Sequence, residues 1–209
     1  MILAEALAGG QGYTDRSLVT QPTHRKYPPL FPALLVPVEY LFGRNFLAMK
    51  ALVLALALIA LVVVALLLQD RVGRLNAVLL ALAVGFSPSF STYSGAILSD
   101  APYLCFSLLA LFLIERYCRE PRWVTGTGLA AALATIAAYL TRSLGLTLLV
   151  VFPLAVLLRK PALRLRPRLV AAGVVVVLCA LPAVGWMAYS RDGTRILRVD
   201  RSRCAEPTS

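Results

Sequence analysis

The residues able to do chemistry in this chain lie at the ends of apolar runs, not within them. Asp15, Glu39 and Asp100 are carboxylates able to take a proton or hold a cation. Arg142 is a lone guanidinium between two long uncharged stretches, and a guanidinium grips phosphate through two parallel hydrogen bonds. His24, Arg25 and Lys26 form a basic cluster followed by Tyr27, and a second tyrosine, Tyr93, sits in a serine-rich turn.

Each of these has a plainer reading beside the chemical one. Asp100 follows Ser99, and both are residue types that cap helix N-termini; the alternative is an acid facing a cavity and meeting an acceptor, a metal or a basic partner. Arg142 either snorkels to lipid headgroups or contacts the phosphate of a ligand. The 24–26 cluster either binds headgroups or contributes His24 as a ligand, although no second ligand stands at a recognisable metal spacing. Tyr27 and Tyr93 are candidate substrate contacts of a residue type that more often anchors helices at membrane interfaces. Asp15 reads as a solvated turn residue or a candidate catalytic acid. Glu39 is a surface charge or an inward-facing ligand, with nothing to rank the two. Gly9, Gly10 and Gly12 end a helix and follow no strand, so a phosphate-binding loop is not indicated.

The elements that must position these residues are membrane helices. Of 209 residues, 59% are hydrophobic and only 15% charged, against roughly 45–50% and about 25% in soluble domains. Mean hydropathy is +0.78. Too little polar surface is left to cover a water-soluble globule. The net charge of +11 comes from arginines between apolar runs, which points to lipid headgroups and orientation, not to nucleic acid. Cys105, Cys118, Cys179 and Cys204 are not spaced as metal or redox pairs, and the first three read as apolar packing. No secretory signal peptide is visible at the start.

The expected fold is all-α: a polytopic bundle of about six spanning or partly spanning helices, at 46–68, 75–87, 99–117, 123–141, 144–158 and 169–189. The first is uncharged from residue 51 to 68 and long enough for a ~30 Å hydrocarbon core. Pro88 and the serines around it should break the second helix and leave a polar hinge over 88–98. Three connections, 69–74, 116–122 and 159–168, hold ten lysines and arginines; the two between them, 88–98 and 141–145, hold only Arg142. The positive-inside rule therefore puts the ten on the cytoplasmic side and the Asp100 and Arg142 turns outside. Residues 1–45 are expected as an extracytoplasmic segment with interfacial helices. Leu3 to Leu7 is a short helix candidate, and Leu30, Phe31, Leu34, Leu35, Tyr40, Leu41 and Phe42 dip into the membrane without crossing it, because Pro28, Pro29, Pro32 and Pro37 interrupt the run. Residues 190–209 form a basic tail, read as disordered or as a non-native continuation. Its five arginines up to Arg203 lie on the side where the rule expects few.

The stretches AEALAGGQGY, HRKYPPLFPALLVPV and LFGRNFLAMKAL, then YSGAILSDAPYLCFSLLALFLIERY and AAYLTRSLGLTLLV, together resemble the GT-C integral-membrane glycosyltransferases of the protein mannosyltransferase and aminoarabinose-transferase type, over roughly residues 1–160. The resemblance implies sugar transfer from a polyprenyl-phosphate donor to an acceptor hydroxyl of a glycan, lipid or protein outside the cytoplasmic membrane. It implies an aspartate as general base, basic residues on the donor phosphate and, in some members, a divalent metal. The family's base stands ahead of the AEALAGG-like segment. Here it is expected upstream of Met1, and Asp15 and Asp100 are the candidates within the chain. A transporter or flippase-like bundle is the competing class; it would show repeated halves and ionisable residues near the bilayer midplane, and neither is found. A non-catalytic membrane fragment is the third reading.

Overall fold

The computed structural model describes residues 28–120, 125–158 and 165–203, with side chains at all of these except 93, 165–168 and 190–203. Among the described residues the structure is all-α, with eight α-helices and one 3₁₀ turn. The expected Leu3–Leu7 helix lies outside them.

Helix α1, Leu30–Phe42, runs unbroken through Pro37. Residues 30–42 were expected to be an interrupted interfacial segment. Pro37 removes one helical N–H bond but lies on the exposed side, while Pro32 and Leu35 face the bundle. Leu35 is fully buried against Met49, so α1 is seated on the bundle at that turn. Tyr40, Leu41 and Phe42 remain exposed at its C-terminal end.

Helix α2, Phe46–Val72, starts at Asn45, whose side chain accepts from the Leu47 and Ala48 amides. It is 27 residues long, about 40 Å at 1.5 Å per residue. It extends four residues past the uncharged run. Gly73, at φ +81°, returns its N–H to the Gln69 carbonyl and ends the helix in a backbone geometry that glycine adopts without strain. The 69–74 connection is thereby reduced to one residue before α3, Arg74–Gly85.

Pro88 does break the chain direction, but it also begins a helix. Ser87 accepts from the Phe90 amide at 3.2 Å, and Pro88 occupies the first turn of α4, Pro88–Ser94, where its missing N–H costs nothing. The expected polar hinge is therefore half helical. Helices α5, Asp100–Arg119, and α6, Gly126–Thr141, follow. The 3₁₀ turn Ser143–Gly145 leads into α7, Leu146–Leu158. Helix α8, Leu165–Arg203, continues beyond the expected 169–189 span, so its backbone is helical over most of the presumed tail.

Helices Phe46–Val72 and Asp100–Arg119 and the segment Leu169–Tyr189 are long and apolar enough to cross a membrane; Arg74–Gly85, Gly126–Thr141 and Ser143–Leu158 are shorter. Helix α2 packs on α3 and α5, α5 on α6, and α8 on α6 and α7, while α1 touches α2 and α6. Small residues dominate these seams: Ala57, Ala101, Ala110, Ala131, Ala132, Ala138, Ala171 and Ala172 are all buried. In lipid, which rewards close backbone approach more than apolar burial, this is how helices associate. Gly128 shows the closeness, since a Cβ there would meet the Tyr117 ring at 2.7 Å. Tyr117 in turn stands edge-on to Phe152, with ring centroids 6.0 Å apart. Leu54, Leu58, Ile59 and Val62 on α2 and Val174, Val177 and Leu181 on α8 are exposed. Contiguous exposed apolar surface of this kind belongs to a lipid-facing wall.

Candidate functional site

Asp70 at the end of α2 meets Arg119 at the end of α5, and Asp100 at the start of α5 meets Arg142 at the end of α6, so these turns sort to two ends of the bundle. At one end the ladder of α6 stops at Arg142, whose backbone is extended and whose N–H returns to the Ala138 carbonyl at 3.1 Å. The next carbonyl-to-amide link, Gly145 N–H to Arg142 O at 2.9 Å, folds the 3₁₀ turn back onto α6. This fold requires glycine. A Cβ on Gly145 would lie 2.5 Å from the Tyr139 backbone and 2.6 Å from the Ala138 carbonyl carbon. Gly145 thus sets the exit direction of the chain that carries Arg142. No sequence motif singled it out; only the packing shows why glycine stands there.

Arg142 Nη1 makes an ion pair with Asp100 Oδ1. Asp100 opens α5, but its carboxylate is turned to the guanidinium, and the N-cap position falls to Ser99, whose side chain makes no capping bond. The two side chains remain 38% and 36% exposed. The pair is therefore held but not sealed, and a competing anion or cation can reach either member.

Beside the pair lies an open cleft of about 360 Å³ walled by α2, α3, α4 and α5. Its polar lining is Ser87, Ser89, Ser94, Asp100 and Tyr103, and its apolar lining includes Ala57, Phe90 and Leu104. The serines come from the cluster that the sequence marked only as a helix break; helix α4 gathers them at one mouth. Phe31 of α1 packs against the cluster of Val53, Ala57 and Ala101, so α1 begins next to the residue that follows Asp100. Glu39, about two turns further along α1 in the same helix stripe as Pro32 and Leu35, points one carboxylate oxygen inward. That Oε2 is buried with no hydrogen-bond partner among the described residues.

The structure thus brings Asp100 and Arg142 together. Tyr93 has its backbone in α4, and its side chain is not described. Asp15, His24, Arg25, Lys26 and Tyr27 lie outside the described residues. A divalent ion needs several oxygen or nitrogen ligands. Among the described residues no three His, Cys, Asp or Glu side chains gather in that way, and Asp100 is the one carboxylate they place in the cleft. The described residues do not by themselves fit such an ion. The buried Cys105 and Cys179 are free thiols inside the bundle, and Cys118 points its sulfur at the Ala155 carbonyl, 3.7 Å away.

At the opposite end Arg119 reaches from the last turn of α5 to two carboxylates, Asp70 at 2.5 Å and Glu115 at 2.9 Å. Arg71 stands 3.5 Å from Glu115. These links tie the last turn of α2 to that of α5.

The fold and the site define an integral membrane bundle with a small-residue core and a charged cleft at one end. Residues 26–186 match the family described as dolichyl-phosphate-mannose-protein mannosyltransferase, and the chain belongs to that family. No curated protein and no solved structure matches the chain.

Proposed function

We propose that the chain transfers a sugar from a polyprenyl-phosphate-linked donor to an acceptor hydroxyl, at the Asp100–Arg142 end of the bundle, on the extracytoplasmic side of the cytoplasmic membrane. The observation that carries this reading is the half-exposed Arg142–Asp100 pair at the mouth of the serine-lined cleft, in a chain of this transferase family. The sidedness rests on the ten lysines and arginines of the opposite connections.

The chemistry asks three things of the protein. The donor's phosphate leaves with its charge, so a cation must meet it as the glycosidic bond breaks. Arg142 supplies that cation, and a guanidinium can hold two phosphate oxygens at once. Asp100 positions Arg142 while the cleft is empty and gives it up as the sugar leaves and the lipid phosphate gains its second negative charge. The acceptor hydroxyl needs a base within hydrogen-bond reach. The family resemblance assigns that role to an aspartate, for which Asp15 and Asp100 are the candidates inside the chain. The His24–Tyr27 stretch, which precedes α1 in the sequence, is the candidate second contact to the donor. The acceptor is a glycan, a lipid or a protein.

Arg142→Ala tests the reading. With the purified full-length protein and a polyprenyl-phosphate sugar, transfer should fall by a factor on the order of 10²–10³, the usual effect of losing one group that stabilises transition-state charge. Membrane insertion should be unchanged. Undiminished transfer would remove Arg142 from the site.

A further inference from the structure

We infer that the notch between α2 and α5 at the Arg119 end is a binding site for the headgroup of an anionic phospholipid, distinct from the sugar-transfer cleft at the other end of the bundle. The notch measures about 310 Å³. Its lining changes character with depth along the helices. Leu66, Leu67 and Phe112 form the part nearer the middle of the bundle, and Asp70, Glu115, Arg116 and Arg119 follow in the final turns. A phospholipid has that same division, an apolar chain below a charged head, at the depth where a spanning helix leaves the hydrocarbon.

The charges decide which head fits. Both acids of the notch are already satisfied. Arg119 holds Asp70 and Glu115 together, and Arg71 adds a second cation beside Glu115. Arg116 is exposed, lines the notch, and makes no ion pair or hydrogen bond among the described residues. Arg74, at the start of the next helix, is likewise exposed and unpaired among them. Four guanidiniums, of Arg71, Arg74, Arg116 and Arg119, therefore stand with three carboxylates, of Asp70, Glu115 and the neighbouring Glu120, an excess of one positive charge among the described residues of this edge. A zwitterionic head adds no net charge to balance it. A phosphodiester with an uncharged alcohol, as in phosphatidylglycerol, brings one negative charge and two free oxygens that Arg116 can take in bidentate fashion.

The test is competition between lipids for the full-length protein in detergent. Phosphatidylglycerol and phosphatidylcholine of equal chain length are supplied in equal amounts, and bound lipid is counted by native mass spectrometry. The wild type should retain phosphatidylglycerol preferentially. Arg116→Gln should lower that preference by about fivefold, the scale of one cation at an anionic surface, and Arg116→Lys should restore part of it. Arg74→Gln, beside the notch but not lining it, should change the preference much less. Equal retention of the two lipids by the wild type would overturn the proposal. So would equal losses in Arg116→Gln and Arg74→Gln, which would mean diffuse attraction of headgroups to a basic edge. Thermal unfolding of each variant in the same detergent separates lost binding from lost folding. If Arg116→Gln does not fold, Leu67→Trp, which fills the apolar half of the notch, must lower the preference instead, and an unchanged preference there sinks the site.

Discussion

The two ends of the bundle use the same residue types to opposite effect. At the Arg119 end each carboxylate has at least one cation, one guanidinium holds two acids, and the side chains stitch the last turn of α2 to that of α5. At the Arg142 end, among the described residues, one acid and one guanidinium pair beside an open, serine-lined cleft, and on α1 a glutamate oxygen is buried with no hydrogen-bond partner. The network of Asp70, Arg119, Glu115 and Arg71 is matched among its own members and holds helices together, leaving the unpaired Arg116 beside it for the lipid headgroup. A single exposed pair can be exchanged for a ligand. Arg142→Ala and Arg119→Ala are therefore the pair of substitutions that break or sharpen the contrast, the first expected to abolish most transfer and the second to leave it standing.

After Arg142 itself, the next largest effect is expected at Gly145. Alanine there cannot be accommodated without moving the 3₁₀ turn off α6, because the obstructing atoms are Tyr139 and Ala138 backbone and not a flexible side chain. Overpacking of this kind costs about 1–3 kcal/mol. The displaced turn carries Arg142 away from Asp100, so transfer should fall about tenfold or more, as misplacement by an ångström commonly does. A Gly145→Ala protein with full transfer and unchanged melting temperature would mean that the turn does not position the guanidinium. Serine at the same site should behave like alanine, since any Cβ meets the same backbone.

Glu39 gives a smaller effect and one of opposite sign. Burying a polar atom without a partner costs about 1–3 kcal/mol. Glu39→Leu removes that cost on the stripe already formed by Pro32 and Leu35, so the protein should melt later. Transfer decides the remaining alternative. If Glu39 is only a misplaced surface charge, the stabilised variant keeps its activity; if its inward oxygen receives a cationic group of a substrate, the variant gains stability and loses transfer. Earlier melting with unchanged transfer would contradict both.

These effects also mark how far the sequence could be read. All six apolar runs are helices, because charge-free stretches of this length leave the backbone no other partner in lipid. Asp100 and Arg142 stood out individually, being charges at the ends of uncharged stretches. Their pairing did not, since they are far apart in the chain and only the packing of α5 on α6 brings them together. Helix α4 was hidden because serine and proline are the residues of turns as well as of helix starts. The extension of α2 through Gln69, Asp70 and Arg71 was hidden for a related reason: charged residues after an apolar run read as a loop until Arg119 and Glu115 are seen to receive them. The same holds for α1, where four prolines suggested a broken segment and tertiary packing of Leu35 on Met49 overrode them. Gly145 carried no signal at all, since its meaning lies in the backbone of another element.

The smallest expected effect belongs to Arg119, and it is the sharpest test of the contrast. Arg119 makes the shortest described links at its end of the bundle, yet its side chain is 59% exposed and its partners are 50% and 31% exposed. Pairs so open to water lose much of their Coulomb attraction to screening and to side-chain entropy. Arg119→Ala should therefore lower the melting temperature only slightly, and raising the salt concentration should shrink the difference from wild type. Sugar transfer should be unchanged within error. Lipid preference should nevertheless weaken, because Asp70 is left without its cation and faces the headgroup directly. A large loss of transfer in Arg119→Ala would show that the two ends are coupled through α5, and the division of labour between a matched network and an exchangeable pair would not hold.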